Sequence, residues 1–259
     1  MLHRQTKTSS WVILFGGAGR QNVIFDMIKS GLSILKVIIP KKKNQKLEEA
    51  AAFLRELGLD LVEAGKKNIE DCLAPYTDYP ILSLGFPLII PKSVFEKHPL
   101  ALNVHPTLLP KYRGISSGAY IIINGEKKSG STVHVMTEEA DKGEIVLQRE
   151  VPLSPFDTIR SMQKKVYSIE PQLVVDAIEQ INQGIPFIEQ NEAEASSFPK
   201  PRKPNDSEID PSKPLFDLIN EIRACDPENF PAFFLYHGQK VAVKLWRLDS
   251  NNKAHVDEI

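Results

Sequence analysis

The sequence predicts an α/β fold: a Rossmann-like, doubly wound sheet followed by a small C-terminal helix and β-hairpin region. Three observations predict it. From Trp11 onward, short apolar runs of strand length alternate with stretches of helical spacing. The first run ends in Gly16-Gly17-Ala18-Gly19, a tight turn that opens a helix. From Gln183 the texture turns polar and proline-rich, and two alternating runs then flank His237-Gly238. These shifts divide the chain into a main domain over 1–189, a linker over 190–214 and a small α+β region over 215–259.

The elements follow in order. Trp11 to Phe15 is the first strand, and Gln21 to Ser30 carries Val23, Ile24, Met27 and Ile28 at helical spacing before Gly31 closes it. With a strand at Leu35 to Ile39 this makes a βαβ unit. Lys41-Lys42-Lys43 reads as a solvated face, with phosphate contact at a strand's carboxyl end as the other reading. Leu47 to Leu57 is an amphipathic helix, Leu59 to Val62 a short strand, Ile69 to Leu73 a helical turn or two and Pro80 to Leu84 a central strand. Gly85-Phe86-Pro87-Leu88-Ile89-Ile90 is an apolar loop where a helix would be expected to start. Ser117 to Asn124 is helical, and Asp157 is expected to cap a helix over Thr158 to Ile181 that contains Pro171. Leu215 to Ala224 is a helix, and Ala232 to Tyr236 with Lys240 to Leu248 forms the hairpin. Its expected apolar face is Phe233, Leu235, Val241, Val243 and Leu245. Two strands alone are marginal in water, so the hairpin is expected to pack on the main domain or to pair across a homodimer.

Composition narrows the function. A net charge of −1 supplies no general basic field, so neither nucleic acid nor a membrane is an expected partner. Two cysteines, Cys72 and Cys225, suggest neither a disulfide framework nor a zinc site, and no metal is expected. The start, MLHRQTKTSS, lacks the apolar core of a signal peptide, and the longest apolar runs are too short to span a bilayer. A cytoplasmic protein is the expectation.

The chemistry is concentrated between Ala101 and Gln148. An apolar strand ends in Asn103-Val104-His105, whose alternation puts an amide and an imidazole on one side. Pro106 and Pro110 bracket the segment that follows. A second strand, Ser131 to Met136, leads into the acidic loop Glu138-Glu139-Ala140-Asp141, and Gly143 turns the chain into a strand over Glu144 to Gln148. His134 lies between Val133 and Val135 and reads as structural.

This stretch resembles the formyltransferases that use 10-formyltetrahydrofolate. The resembling residues are Asn103-x-His105-Pro106-x-Leu108-Leu109-Pro110-x-Tyr112-Arg113-Gly114, Gly125-Glu126, Gly130-x-Thr132-x-His134 and Asp141-x-Gly143-x-Ile145-x-x-Gln148. The resemblance implies a catalytic trio of Asn103, His105 and Asp141. It implies a folate site on Gly85, Phe86, Pro87, Leu88 and Ile89 with Glu139 and Ala140. Acceptor contacts are implied at Gly17, Arg20, Tyr112 and Arg113. From residues alone, the Gly16 to Asn22 turn serves equally as a bare tight turn or as a phosphate cradle. In the implied reaction His105 takes the proton of an attacking amine and Asn103 donates to the oxyanion, while Asp141 holds the imidazole or a water.

Among acceptors, a nucleotide-linked amino sugar is expected, by similarity to sugar N-formyltransferases such as GDP-perosamine N-formyltransferase. Only about forty residues follow the linker, and the tRNA enzymes carry a full basic barrel there. Methionyl-tRNA formyltransferase is the second reading and a catalytically silent Rossmann-type binding protein the third.

Overall fold

The structure, a computed structural model, describes residues 9–17, 19–115, 117–198 and 200–247. Ala18 of the glycine turn, Pro199 of the linker and Leu248, the expected end of the last strand, lie outside the described residues, as does the start over 1–8. In chain order the elements are β1 Ser10–Phe15, α1 Gln21–Lys29, β2 Ser33–Pro40, α2 Gln45–Glu56, β3 Leu61–Ala64, α3 Ile69–Leu73, β4 Ile81–Leu84, α4 Lys92–Phe95 and β5 Ala101–His105. Then come α5 Ser117–Ile123, β6 Lys128–Val135, β7 Ile145–Pro152, α6 Ile159–Asn182, α7 Leu215–Arg223, β8 Ala232–Tyr236 and β9 Gln239–Val243.

The expected boundaries shift for local reasons. Helix α2 begins at Gln45 because the Asn44 side chain accepts from the Leu47 amide at 2.9 Å, an N-cap. After α1, Gly31 takes φ +83°, and the Gly31 and Leu32 amides bond back to Ile28 and Met27. The lysine run is solvated at Lys41 and Lys42, while Lys43 pairs with Glu48 at 3.4 Å and also with Glu63.

Seven strands form one sheet in the order β3-β2-β1-β4-β5-β6-β7. The pairs from β3 to β5 are parallel, and β5 with β6 is antiparallel. Strand order reverses between β1 and β4, the switch point beside which doubly wound folds bind ligands. Alternation sorts the two faces. Trp11, Ile13, Phe15, Leu102, Val104 and Val133 face α1, α2 and α6. Val12, Leu14, Ile81 and Ala101 face α3 and α4. Trp11, Ile13 and Phe15 are fully buried, each worth roughly 1.5–3 kcal/mol relative to exposure.

The chain divides into two compact units. One comprises residues 1–105, 131–149 and 167–193; the other comprises 106–130, 150–166 and 194–259. In the second, the expected linker is held by backbone bonds. The Arg113 amide donates to Ser196 at 2.9 Å and the Phe198 amide to Arg113 at 2.7 Å.

Two expectations in this unit are corrected. Asp157 does not cap α6 through its carboxylate, which instead takes the Ser154 amide, the Ser161 hydroxyl and Lys165. The cap is reciprocal between Thr158 and Ser161, each hydroxyl accepting from the other's amide. The hairpin's apolar face is also different. A two-residue turn at His237-Gly238 pairs Phe234 with Val241 and Ala232 with Val243. Ala232, Phe234 and Val243 share the face packed on Leu218 and Ile222 of α7, with Leu245 beside them; of the other expected residues Phe233 is buried, whereas Leu235 and Val241 are exposed.

Candidate active site

The second face of the sheet turns polar at β5. Ala101 is apolar core, and the next residues on that face are Asn103 and His105. Register aligns Asn103 opposite His134 of β6, and His105 opposite Thr132. Four polar side chains therefore share one patch of sheet. Gln148 of β7 donates to the Thr132 hydroxyl at 2.9 Å and extends the patch.

Asp141 reaches this patch from an unexpected direction. Because β6 runs antiparallel to β5, the acidic loop leaves from beside Leu102, at the start of β5. It then doubles back, and Asp141 Oδ1 lies 3.5 Å from His105 Nδ1 and 3.5 Å from His134 Nε2. The doubling back needs Gly143, since a Cβ there would sit 1.9 Å from the Val135 carbonyl oxygen. Asp141 itself adopts φ +60°. Its side chain is 13% exposed and that of His105 is 8% exposed, so little water screens the pair.

His134, read from sequence as structural, touches two members of the trio. Its Nδ1 lies 2.9 Å from its neighbour's carbonyl at Val135, which assigns the proton to Nδ1. Nε2 then accepts from Asn103 Nδ2 at 3.1 Å. That bond uses one amide hydrogen of Asn103 and fixes the orientation of the other. Part of the signal was present in the sequence: alternation puts Thr132 and His134 on one face of their strand, and the register with β5 then brings that face beside Asn103 and His105.

At the switch point the loops after β1 and β4 touch. A Cβ on Gly16 would meet the Gly85 carbonyl oxygen and Pro87 Cδ, both at 2.6 Å. Gly85 takes φ +66°, which glycine tolerates at no steric cost. Beyond it, Phe86 packs on the core, Pro87 is exposed, Leu88 is half-buried and Ile89 is 90% exposed. Glu139 and Ala140 are exposed on the acidic loop, where Glu139 pairs with Lys142.

The glycine turn is largely satisfied internally. The Gly16 and Gly17 amides both donate to Leu84, and the Gly19 amide donates to the Gln21 side chain. Arg20 is 3% exposed, and its guanidinium donates to Glu170 Oε1 at 2.7 Å and stacks over Tyr167 at 4.6 Å. Ser131 also donates to Glu170 at 2.9 Å. Burial raises the Glu170 carboxyl above its ordinary value, against the opposing pull of Arg20.

Tyr112 and Arg113 lie in the second unit. Tyr112 donates to Glu126 at 2.7 Å, accepts from Asn124 at 3.0 Å and stacks on Phe198. Burial pushes its phenol up. Arg113 is 4% exposed. Among the described residues no cluster of His, Cys, Asp and Glu could hold a metal, and no helix is long and apolar enough to cross a membrane.

The model of the formyl transferase domain matches residues 23–178. The chain belongs to the formyl transferase family. It is thus a formyl-transferring enzyme. Among its relatives, the methionyl-tRNA formyltransferase of Thermotoga neapolitana is 30% identical over 238 residues, covering 87% of this chain and 75% of that one. The methionyl-tRNA formyltransferase of Borreliella burgdorferi is 36% identical over 196 residues, and the match spans 62% of its length. In fold the chain is similar to a 4-N formyltransferase from Francisella tularensis, with a TM-score of 0.76 and 24% identity, covering 93% of this chain and 98% of that one. It is also similar to an N-formyltransferase from Helicobacter canadensis in complex with folinic acid and dTDP-3-aminofucose, at TM-score 0.71 and 22% identity, covering 90% and 86%.

Proposed function

We infer that this formyltransferase moves a formyl group from 10-formyltetrahydrofolate to the primary amine of a nucleotide-linked 4-amino-4,6-dideoxy sugar, for surface polysaccharide (O-antigen) synthesis. The observation that carries the chemistry is the grouping of Asn103, His105 and Asp141 on one buried polar patch. The amine nitrogen attacks the formyl carbon, and His105 accepts the proton the amine loses. Asn103 donates its remaining amide hydrogen to the oxyanion that develops. Asp141 beside His105 favours the charged imidazolium formed in that step. The carbon–N10 bond then breaks, and N10 leaves with the proton His105 carried. Atoms balance as a formamide plus tetrahydrofolate.

A flat heterocycle needs apolar walls and a few fixed polar partners. The Gly85 to Ile89 loop, with Ile89 almost fully exposed, suits the pterin, and the exposed Glu139 and Ala140 are the acidic-loop residues proposed to contact it. For the acceptor, Gly17 supplies a wall without a side chain. Arg20, Tyr112 and Arg113 are proposed beside the acceptor, Arg20 oriented by its pairing with Glu170 and Tyr112 by its bond to Glu126.

Two observations support a sugar nucleotide. A net charge of −1 suits a compact diphosphate better than a tRNA backbone, whose binding rests on neutralising many phosphates. The structural match also runs over 98% of the Francisella tularensis 4-N formyltransferase. The identity to methionyl-tRNA formyltransferases favours a second reading with tRNA as acceptor. Formyl transfer to a panel of nucleotide-linked amino sugars and to methionyl-tRNA, at equal enzyme, decides between them. Turnover with tRNA and with no sugar nucleotide overturns the first reading.

A further inference from the structure

Gln190 sits where the polar linker was expected to begin, yet its side chain belongs to the catalytic loop. The segment before it runs beside β7: Ile145 and Ile188 exchange both backbone hydrogen bonds, at 2.8 and 2.9 Å. Two residues on, Gln190 Nε2 donates to the Asp141 carbonyl at 2.8 Å and to the Gly143 carbonyl at 2.7 Å. One primary amide thus uses both hydrogens on carbonyls either side of Lys142. These are the residues whose backbone is under constraint, since Asp141 holds φ +60° and Gly143 is pressed against Val135.

We propose that Gln190 is a positioning residue that holds Asp141 over His105. The Asp141 carboxylate stands 3.5 Å from the imidazole, at the edge of useful contact, so a small loop displacement separates them. A left-handed conformation at a residue with a Cβ relaxes unless its surroundings hold it. The two bonds from Gln190 supply that restraint from 49 residues away in sequence. This rests on the catalytic trio proposed above, but its first test needs no acceptor.

Gln190→Met keeps the length and removes both donors, and Gln190→Glu keeps the shape and removes the same donors. Hydrogen exchange of the free protein reads the restraint directly. Amides of residues 138–145 should exchange at least about tenfold faster in both variants, with β1 amides unchanged. Unchanged exchange in that loop overturns the proposal whatever the acceptor proves to be. A double-mutant cycle with Asp141→Asn then reads the function, using 10-formyltetrahydrofolate and the acceptor the wild type turns over. Gln190→Met should lower kcat about tenfold with Asp141 present and less than about twofold in the Asp141→Asn background. Equal losses in the two backgrounds overturn it, because a general structural role does not depend on Asp141.

Discussion

Gly143→Ala should disable the enzyme without unfolding it. The added Cβ would lie 1.9 Å from the Val135 carbonyl oxygen and 2.7 Å from its carbon, where ordinary Cβ contacts stay beyond 3.0 Å. Neither neighbour is the tip of a flexible side chain. Val135 is fixed in β6, whose amide at that residue donates to Glu144 at 2.9 Å, so the loop must retreat by about 1.1 Å. Asp141, two residues away, moves with it. A misplacement of about 1 Å in a catalytic group costs on the order of a hundredfold in rate. Losing the Val135–Glu144 bond and crowding the turn adds about 1–3 kcal/mol of destabilisation. Steady-state formyl transfer and urea denaturation of the same preparation test both figures. A folded Gly143→Ala enzyme with near-wild-type kcat would refute the placement of Asp141 by this turn.

Two further outcomes follow from charged groups. Arg20→Met strands a fully buried Glu170 and should cost about 3–5 kcal/mol by urea denaturation, while the Arg20→Met/Glu170→Met double variant recovers most of it. Because burial raises the Glu170 carboxyl, its contribution is fully present below the unfolded value of 4.5 and is lost as pH rises through the folded value. The Arg20→Met deficit should accordingly shrink in acid, and a deficit that grows in acid contradicts this. In the second unit, Asp226 is held at about 2: bonds from Asn229, Glu228 and Arg160 outweigh the desolvation that would raise it from 3.8. A lowered carboxyl stabilises the fold above its unfolded value and loses that contribution as pH falls from 3.8 through about 2. Discounted for its exposed side, the advantage of wild type over Asp226→Asn should be about 1 kcal/mol at neutral pH and vanish near pH 2. An advantage independent of pH sinks the assignment.

What could be read from sequence was what depends on short-range pattern. Alternation at Asn103 and His105 placed an amide and an imidazole together, and the structure adds their cross-strand partners Thr132 and His134. Glycines at 16 and 85 marked the two loops, because a Cβ on Gly16 would block their contact and Gly85 holds a positive φ. What escaped depends on direction and on distant partners. The acidic loop returns over the sheet because β6 is antiparallel, and no local residue pattern encodes strand direction. Arg20 gives no local sign of its buried partner, since Glu170 lies 150 residues on. In the hairpin, Val243 and Leu245 are covered as expected, but register puts Ala232 and Phe234, not Phe233 and Leu235, on the face of Val243. Gln190 looked like linker because its neighbours are polar, and its two acceptors are backbone carbonyls that any sequence would present.

Formyl transfer by His105→Ala is the most direct measurement of the proposed chemistry. The substitution removes the group that receives the amine proton while leaving Asn103 and its bond to His134 in place. With 10-formyltetrahydrofolate and the acceptor that wild type uses best, kcat should fall at least about a hundredfold, with an unchanged unfolding midpoint. A folded His105→Ala enzyme that turns over at a near-wild-type rate would show that the proton leaves by another route and that this site is not the catalytic centre.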